Sequence, residues 1–261
     1  MEQESTTILI LITTLTVVLL VIVIIVIFSI FQNRKTKFIF DQKESEQRFE
    51  EEIIKSQLET QEQTLQNISW ELHDNIGQLL SVARMQLNML QPSLADKQKE
   101  LINETGEIIS KSLQEIRTLS KLLNPEVIKN IGLEEAVQLE IDRFNRLNFI
   151  NASLTVINKP IDIDQKDEII LFRILQEFLS NSVKHSKTAK LEVTLNYNTE
   201  NLIIKAQDFG VGFVDAEIKK GSGLLNMKSR SDLIHTEFDL KSEKDKGVLL
   251  TLTYPLHKKN E

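Results

Sequence analysis

The chain has 261 residues, 41% hydrophobic and 26% charged, with 38 acidic side chains against 31 basic ones and a formal net charge of −7. That is a globular composition with room for one or two modest domains. The absence of cysteine excludes disulfides, zinc–thiolate sites and thiol nucleophiles. The acidic balance excludes direct nucleic acid binding as the leading reading, because such binding draws its affinity from basic contacts to phosphate.

From 8 to 30 every residue is apolar, Thr or Ser. At about 1.5 Å per residue this run spans about 35 Å as a helix, enough for a hydrocarbon core of about 30 Å. A transmembrane helix is expected over 8–31. A cleaved signal peptide fits poorly, since Glu2 and Glu4 stand where basic residues belong and no small-residue cleavage site follows. Arg34, Lys35 and Lys37 flank only the downstream end, which predicts a single-pass protein of the inner or plasma membrane, its N-terminus outside and the remainder cytoplasmic. The few residues left outside cannot fold into a receptor. Any signal is then expected through the membrane helix itself or a membrane sensor partner.

Residues 41–67 are rich in Glu, Gln and Lys and free of Gly and Pro. Ile54, Leu58, Gln61, Leu65, Ile68, Leu72, Asn75 and Leu79 step by fours and threes, the seam of a two-stranded coiled coil. Helix is expected to about Leu90, with a break at Gln91-Pro92-Ser93. A second amphipathic run places Leu101, Ile108, Ile116, Leu119 and Leu123 on one face and ends at Asn124-Pro125. The two form an antiparallel hairpin over 65–125. Alone it would leave an apolar stripe uncovered, so a homodimer closing a four-helix bundle is expected.

Beyond Pro125 the pattern changes. Residues 132–149 read as helix. Residues 154–157, 191–197, 202–206 and 248–254 alternate like strands, with helices between them at 165–185 and 224–234. This predicts an α/β sandwich with a mostly antiparallel sheet over 131–257. Gly210, Gly212, Gly221, Gly223 and Gly247 crowd the last quarter of the chain, as loops built for close ligand approach do.

Three clusters carry chemistry: Glu71-Leu72-His73-Asp74-Asn75-Ile76-Gly77-Gln78; Gln176-Glu177-Phe178-Leu179-Ser180-Asn181-Ser182-Val183-Lys184-His185; and Asp208-Phe209-Gly210-Val211-Gly212-Phe213, followed by Gly221-Ser222-Gly223-Leu224. Glu177 and Asn181 share a helix face, and a carboxylate with an amide oxygen suits Mg²⁺. Asp208 ends a strand, placed to accept a hydrogen bond from an adenine amino group. Gly221-Ser222-Gly223 opens a helix whose free N–H groups can meet phosphates. Residues 214–220 would form a short lid, and Lys184, Lys219 and Lys220 are candidate counter-charges. His185 can touch a phosphate or cap its helix equally well. His235 and His257 have no assigned role.

These clusters, in this order, resemble a known family. Residues 131–257 look like the ATP-binding domain of the GHKL superfamily, shared by gyrase-type ATPases and histidine kinases. Residues 65–125 resemble the dimerisation and phosphotransfer domain of sensor histidine kinases of two-component systems, in the subfamily of nitrate and desaturase sensors. Glu-Leu-His-Asp at 71–74, Gln78, Leu-Asn-Pro at 123–125 and Gly132-Leu133 carry that match.

The resemblance implies autophosphorylation of His73 from ATP and Mg²⁺ held through Glu177, Asn181, Asp208, Gly210, Gly212 and Gly223. The phosphoryl group would then pass to a receiver-domain aspartate of a response regulator with helix-turn-helix output. The chain departs from the family at 64–70, which lacks the usual charge, and at Gly247-Val248, where the family has Gly-Thr.

Chemically, His73 falls off the coiled-coil seam and faces solvent. Asp74 can accept from one ring nitrogen, leave the other lone pair free and stabilise the imidazolium formed on attack. Gln78, four residues on, is expected to hold the water that hydrolyses the regulator's aspartyl phosphate. Gly77 would clear space for an approaching nucleotide or receiver. Two competing readings are a membrane-tethered pseudokinase or scaffold, and a GHKL ATPase without phosphohistidine.

Overall fold

The computed structural model describes residues 2–90, 96–148, 150–213 and 222–256, and for part of the first helix the backbone alone. The expected break at Gln91-Pro92-Ser93, the expected lid at 214–220, Gly221 and His257 lie outside these residues. The chain divides into two compact units, Met1–Ser56 and Gln57–Glu261.

The first unit is helical throughout, being the start of α1 (Glu2–Glu71). Arg48 pairs with Glu44 one turn earlier, and Phe38, Phe40 and Phe49 are exposed along it. Among the described residues no helix is long and apolar enough to cross a membrane. The expected span at 8–31 falls mostly on residues whose side chains are not described.

The second unit begins with the helical hairpin. After α1 comes one wide turn of π-helix, Leu72–Ile76, closed by the Gly77 N–H donating to the Leu72 carbonyl five residues back. Then follow α2 (Gly77–Leu90) and α3 (Asp96–Leu123). The inner row of α1 is Leu58, Glu62, Leu65, Ser69 and Leu72, all at least partly buried. It continues with a step of five to Gly77, then Leu80 and Leu87. The facing row on α3 is Ile102, Ile109, Leu113, Ile116, Ser120 and Leu123.

Of the two expected apolar rows, Leu58, Leu65, Leu72, Ile116 and Leu123 are partly buried inside the hairpin, while Ile68, Leu79, Leu101 and Ile108 stand exposed on a second row beside it. Ser69 and Ser120 meet across the hairpin, each hydroxyl donating to the other's carbonyl at 2.9 Å. Two small buried residues let the helices approach closely there, so the unusual 64–70 stretch contributes a structural contact and not merely a change of surface charge.

Asn124 caps α4 (Pro125–Arg146) by accepting from the Glu126 N–H at 3.0 Å, with Pro125 in the first turn where its missing N–H costs nothing. Gly132, at φ 81°, is a kink inside this helix rather than its start.

The remainder is a two-layer sandwich. Strands β1 (Asn151–Ile157), β2 (Lys190–Tyr197), β3 (Asn201–Asp208), β4 (Glu237–Glu243) and β5 (Gly247–Pro255) form one sheet in the order β1-β2-β3-β5-β4. Only β1 and β2 pair in parallel. Alternation puts Leu191, Val193, Leu195, Leu202, Ile204, Ala206, Leu250 and Leu252 on one buried face. With α4, helices α5 (Gln165–His185) and α6 (Ser222–Leu233) build the rest of the core through Phe172, Leu175, Leu179 and Met227. β4 was not expected from the sequence.

Arg173 of α5, only 3% exposed, joins the hairpin to this sandwich. Its guanidinium reaches both Glu62 oxygens at 2.9–3.0 Å and donates to the carbonyls of Leu122 at 2.7 Å and Leu123 at 2.8 Å. Those are the last carbonyls of α3, which otherwise lack partners.

Candidate active site

Asp164 caps α5 by accepting from the Lys166 N–H at 2.8 Å. Leu171, Leu175, Phe178, Leu179 and Ser182 fix that helix on the sheet. Glu177, Asn181 and His185 follow at one-turn intervals along its edge and face a cavity of about 570 Å³. Asn181 donates to Glu177 Oε1 at 3.1 Å. Turned about its Cβ–Cγ bond, the same amide would present its oxygen beside the carboxylate, a pair suited to a hard cation that keeps waters of its own. Gly223, at the start of α6, passes so close that a Cβ there would sit 2.3 Å from Glu177 Oε1. A Cβ there would push the Glu177 carboxylate aside, so the glycine keeps this helix N-terminus and the carboxylate together.

Asp208 closes the other end. It is 2% exposed, held by the N–H groups of Gly210 at 3.0 Å and Val248 at 3.3 Å on Oδ1, and by the Ser182 hydroxyl at 3.0 Å on Oδ2. A carboxylate offers about four lone-pair sites, so one remains for a donor in the cavity. Phe178, Phe213, Met227, Leu240 and Val248 supply apolar walls around it. Few converging polar groups in an otherwise apolar hollow suit a flat heteroaromatic ring with a charged tail.

The structure thus brings Glu177, Asn181, His185, Asp208, Gly212, Gly223 and Leu224 around one cavity. It does not bring Lys184, which is exposed outside the wall. Nor does Gly210 line it; this residue packs against Ser186 and acts through its N–H on Asp208. Gly212 lines the cavity with φ 61°, and its Cβ would lie 2.2 Å from the Glu243 carbonyl. Ser182, Met227 and Leu240 were missed by sequence reasoning. Ser182 is one residue past Asn181, and its role becomes visible only once Asp208 is seen across from it.

On the hairpin, His73 lies within the π turn with its side chain 65% exposed. Its Nδ1 and Asp74 Oδ1 are 2.8 Å apart. A proton on Nδ1 donated to this carboxylate leaves Nε2 as the nitrogen with a free lone pair. Asn75 donates to Glu71, and Gln78 is exposed just beyond the turn. Gly77 is buried in the row that faces α3. The expectation that it clears space on the open side of His73 is thereby corrected. A Cβ added there would meet the Leu72 carbonyl oxygen at 3.4 Å and nothing of α3 within 4 Å, so packing on α3 does not itself demand a glycine. Farther upstream, Arg230 of α6 donates to Gln61 Oε1 at 2.9 Å. Burial lowers the pKa of this guanidinium, an effect opposed by the nearby Glu62.

An oriented imidazole on a helical hairpin, followed by a cavity built from a carboxylate–amide helix edge and glycine loops, is the arrangement expected of the histidine kinase class. The chain belongs to the histidine kinases: residues 65–128 match the family described as Histidine kinase, and residues 166–258 match the Histidine kinase-, DNA gyrase B-, and HSP90-like ATPase family. It is similar to the oxygen sensor histidine kinase NreB of Staphylococcus carnosus, with 28% identity over 216 residues. That match covers 81% of this chain and 62% of the relative, so the chain spans under two thirds of the length of that protein. Among solved structures, the histidine kinase domain of the Erythrobacter litoralis EL346 blue-light activated kinase is 16% identical with a TM-score of 0.43, covering 69% of this chain and 94% of its own. Acinetobacter baumannii histidine kinase AdeS is 15% identical with a TM-score of 0.42, covering 72% and 98%.

Proposed function

We propose that this protein is a membrane-bound, homodimeric sensor histidine kinase that phosphorylates its own His73 from Mg-ATP. It then passes the phosphoryl group to a receiver-domain aspartate of a response regulator and also removes it again through Gln78. The observation that carries the reading is the joint presence of an oriented His73–Asp74 pair and of the Glu177–Asn181–Asp208 cavity in one chain. Glu177 and Asn181 hold Mg²⁺, Asp208 accepts from the adenine amino group, and the start of α6 at Gly223 receives phosphates. Phosphoryl transfer needs mainly alignment and charge neutralisation, which these groups and the cation supply. The His73 Nε2 attacks the γ-phosphorus, ADP leaves, and Asp74 stabilises the imidazolium through Nδ1–H.

The apolar run over residues 8–30 supports anchoring, and Arg34, Lys35 and Lys37 support a cytoplasmic catalytic part. The exposed apolar row through Leu79, Leu101 and Ile108 supports dimerisation. The test is incubation of the purified chain with labelled ATP and Mg²⁺. Acid-labile, base-stable labelling is expected in the wild type and none in His73→Gln; equal labelling of both would overturn the reading.

A further inference from the structure

The Asp208 carboxylate is held unevenly. The Gly210 and Val248 N–H groups both fall on Oδ1, at 3.0 Å and 3.3 Å. Among the described residues Oδ2 receives one hydrogen bond, from the Ser182 hydroxyl at 3.0 Å. Ser182 is 4% exposed and lines the same cavity. Two bonds to one oxygen pin that oxygen and leave the carboxylate free to rock about it. The bond to the second oxygen sets its plane.

The mount of Ser182 is stiff. It sits in the last turn of α5, one position beyond Asn181, and the Ser186 hydroxyl donates back to its carbonyl. The Thr188 N–H donates in turn to the Ser186 hydroxyl at 3.2 Å. Gly210 packs on the same turn, where a Cβ would lie 2.1 Å from the Ser186 carbonyl oxygen. The end of α5 and the glycine loop are thus held against each other, with the Ser182–Asp208 bond spanning the two.

We propose that Ser182 is a positioning residue for recognition of the base: by donating to Asp208 it fixes the carboxylate plane and leaves this end of the cavity with acceptors only, selecting an exocyclic amine over a carbonyl. The inference rests on the reading of Asp208 as the adenine acceptor given above.

A hydroxyl has one hydrogen and two acceptor lone pairs. The hydrogen of Ser182 is spent on Asp208, so its oxygen meets the cavity with lone pairs alone. Val248, on the same wall, has its N–H committed to Asp208 and adds an apolar side chain. An amine brings hydrogens to these acceptors. A carbonyl oxygen would set lone pairs against lone pairs, in a place where neither side can turn to water. Without the Ser182 hydroxyl, Oδ2 would take a water that the amine must then displace. A base with a carbonyl at that place draws nothing from the carboxylate plane and has nothing to lose with it.

The test uses the full chain in detergent with Mg²⁺ and a His73→Gln background, so that no nucleotide is consumed. Calorimetric titration compares ATP with inosine triphosphate, which carries a carbonyl where adenine carries its amino group. The parent should prefer ATP by at least about tenfold. Ser182→Ala should weaken ATP about tenfold and leave inosine triphosphate within about twofold, so that the preference collapses. With His73 intact, the ATP concentration for half-maximal labelling should rise about tenfold in Ser182→Ala while the maximal rate stays within about twofold. A loosened fold would weaken both nucleotides alike. ATP affinity unchanged within about twofold in Ser182→Ala, or an equal loss for both nucleotides, overturns the proposal. A parent that binds ATP no better than inosine triphosphate would instead overturn the adenine assignment of Asp208, so the two failures are distinct.

Discussion

Asp208 has two duties that a substitution would separate. Its Oδ1 organises the start of the glycine loop and the second residue of β5, through Gly210 and Val248, while its remaining lone pair faces the cavity. Asp208→Ala should therefore abolish nucleotide binding and also lower stability by about 1–3 kcal/mol, because two buried N–H groups lose their acceptor. Asn181→Ala removes only a cavity-edge amide and should keep the fold and the dimer while losing Mg²⁺-dependent labelling. Nucleotide titration together with a thermal melt separates the pair; normal ATP binding and labelling in both variants would refute the site assignment. Gln78, exposed beyond the π turn, touches none of these groups. Gln78→Ala should leave His73 labelling within about twofold and lengthen the lifetime of the regulator's phosphate in the presence of the kinase. Equal decay with both proteins would reduce Gln78 to a helix residue.

Between elements, the reciprocal Ser69–Ser120 contact gives a measurable coupling. Each hydroxyl is buried, so losing one leaves the opposite carbonyl short of a partner, at about 1 kcal/mol. Ser69→Ala and Ser120→Ala should each lower the melting temperature, and the double variant should lose less than their sum; strict additivity would mean that the hydroxyls act separately. The expected elements were legible where one periodicity prevailed. β2, β3 and β5 alternate with branched or aromatic residues on the buried face, and α5 carries a broad apolar stripe. β4 escaped because it buries Phe238, Leu240 and Ser242, each only partly, among Glu237, Asp239, Lys241 and Glu243. A charged edge strand carries little hydrophobic signal. Gly132 read as a helix start because its positive φ is a property of the backbone path between α3 and the sandwich. In the site, Glu177, Asn181 and Asp208 could be read from spacing, while the distinction between Gly210 and Gly223 needed the neighbours that each backbone approaches. The π turn had no signature at all, since Leu72–Ile76 has ordinary helical composition.

At the scale of the molecule, the apolar row left open on the hairpin lies beside the buried seam, and Leu79, Leu101 and Ile108 are each more than half exposed on it. A second copy of the hairpin is the proposed cover. The apolar run at the N-terminus has a separate prediction. Replacing 8–30 with an unrelated apolar helix should abolish the response to stimulus and leave basal labelling within about twofold; a preserved response would place reception downstream of that run. The wide turn at Leu72–Ile76 bears on how such a response would travel. One surplus residue in a helix rotates everything after it by about 100° relative to an unbroken spiral, so the sequence pattern shifts by one position at His73 while the same side of the helix stays toward α3. The coil upstream and the bundle downstream can therefore each satisfy its own packing without forcing the other's azimuth. His73 stands at the slip joint between them, where a small torque on the upstream shaft would be felt first.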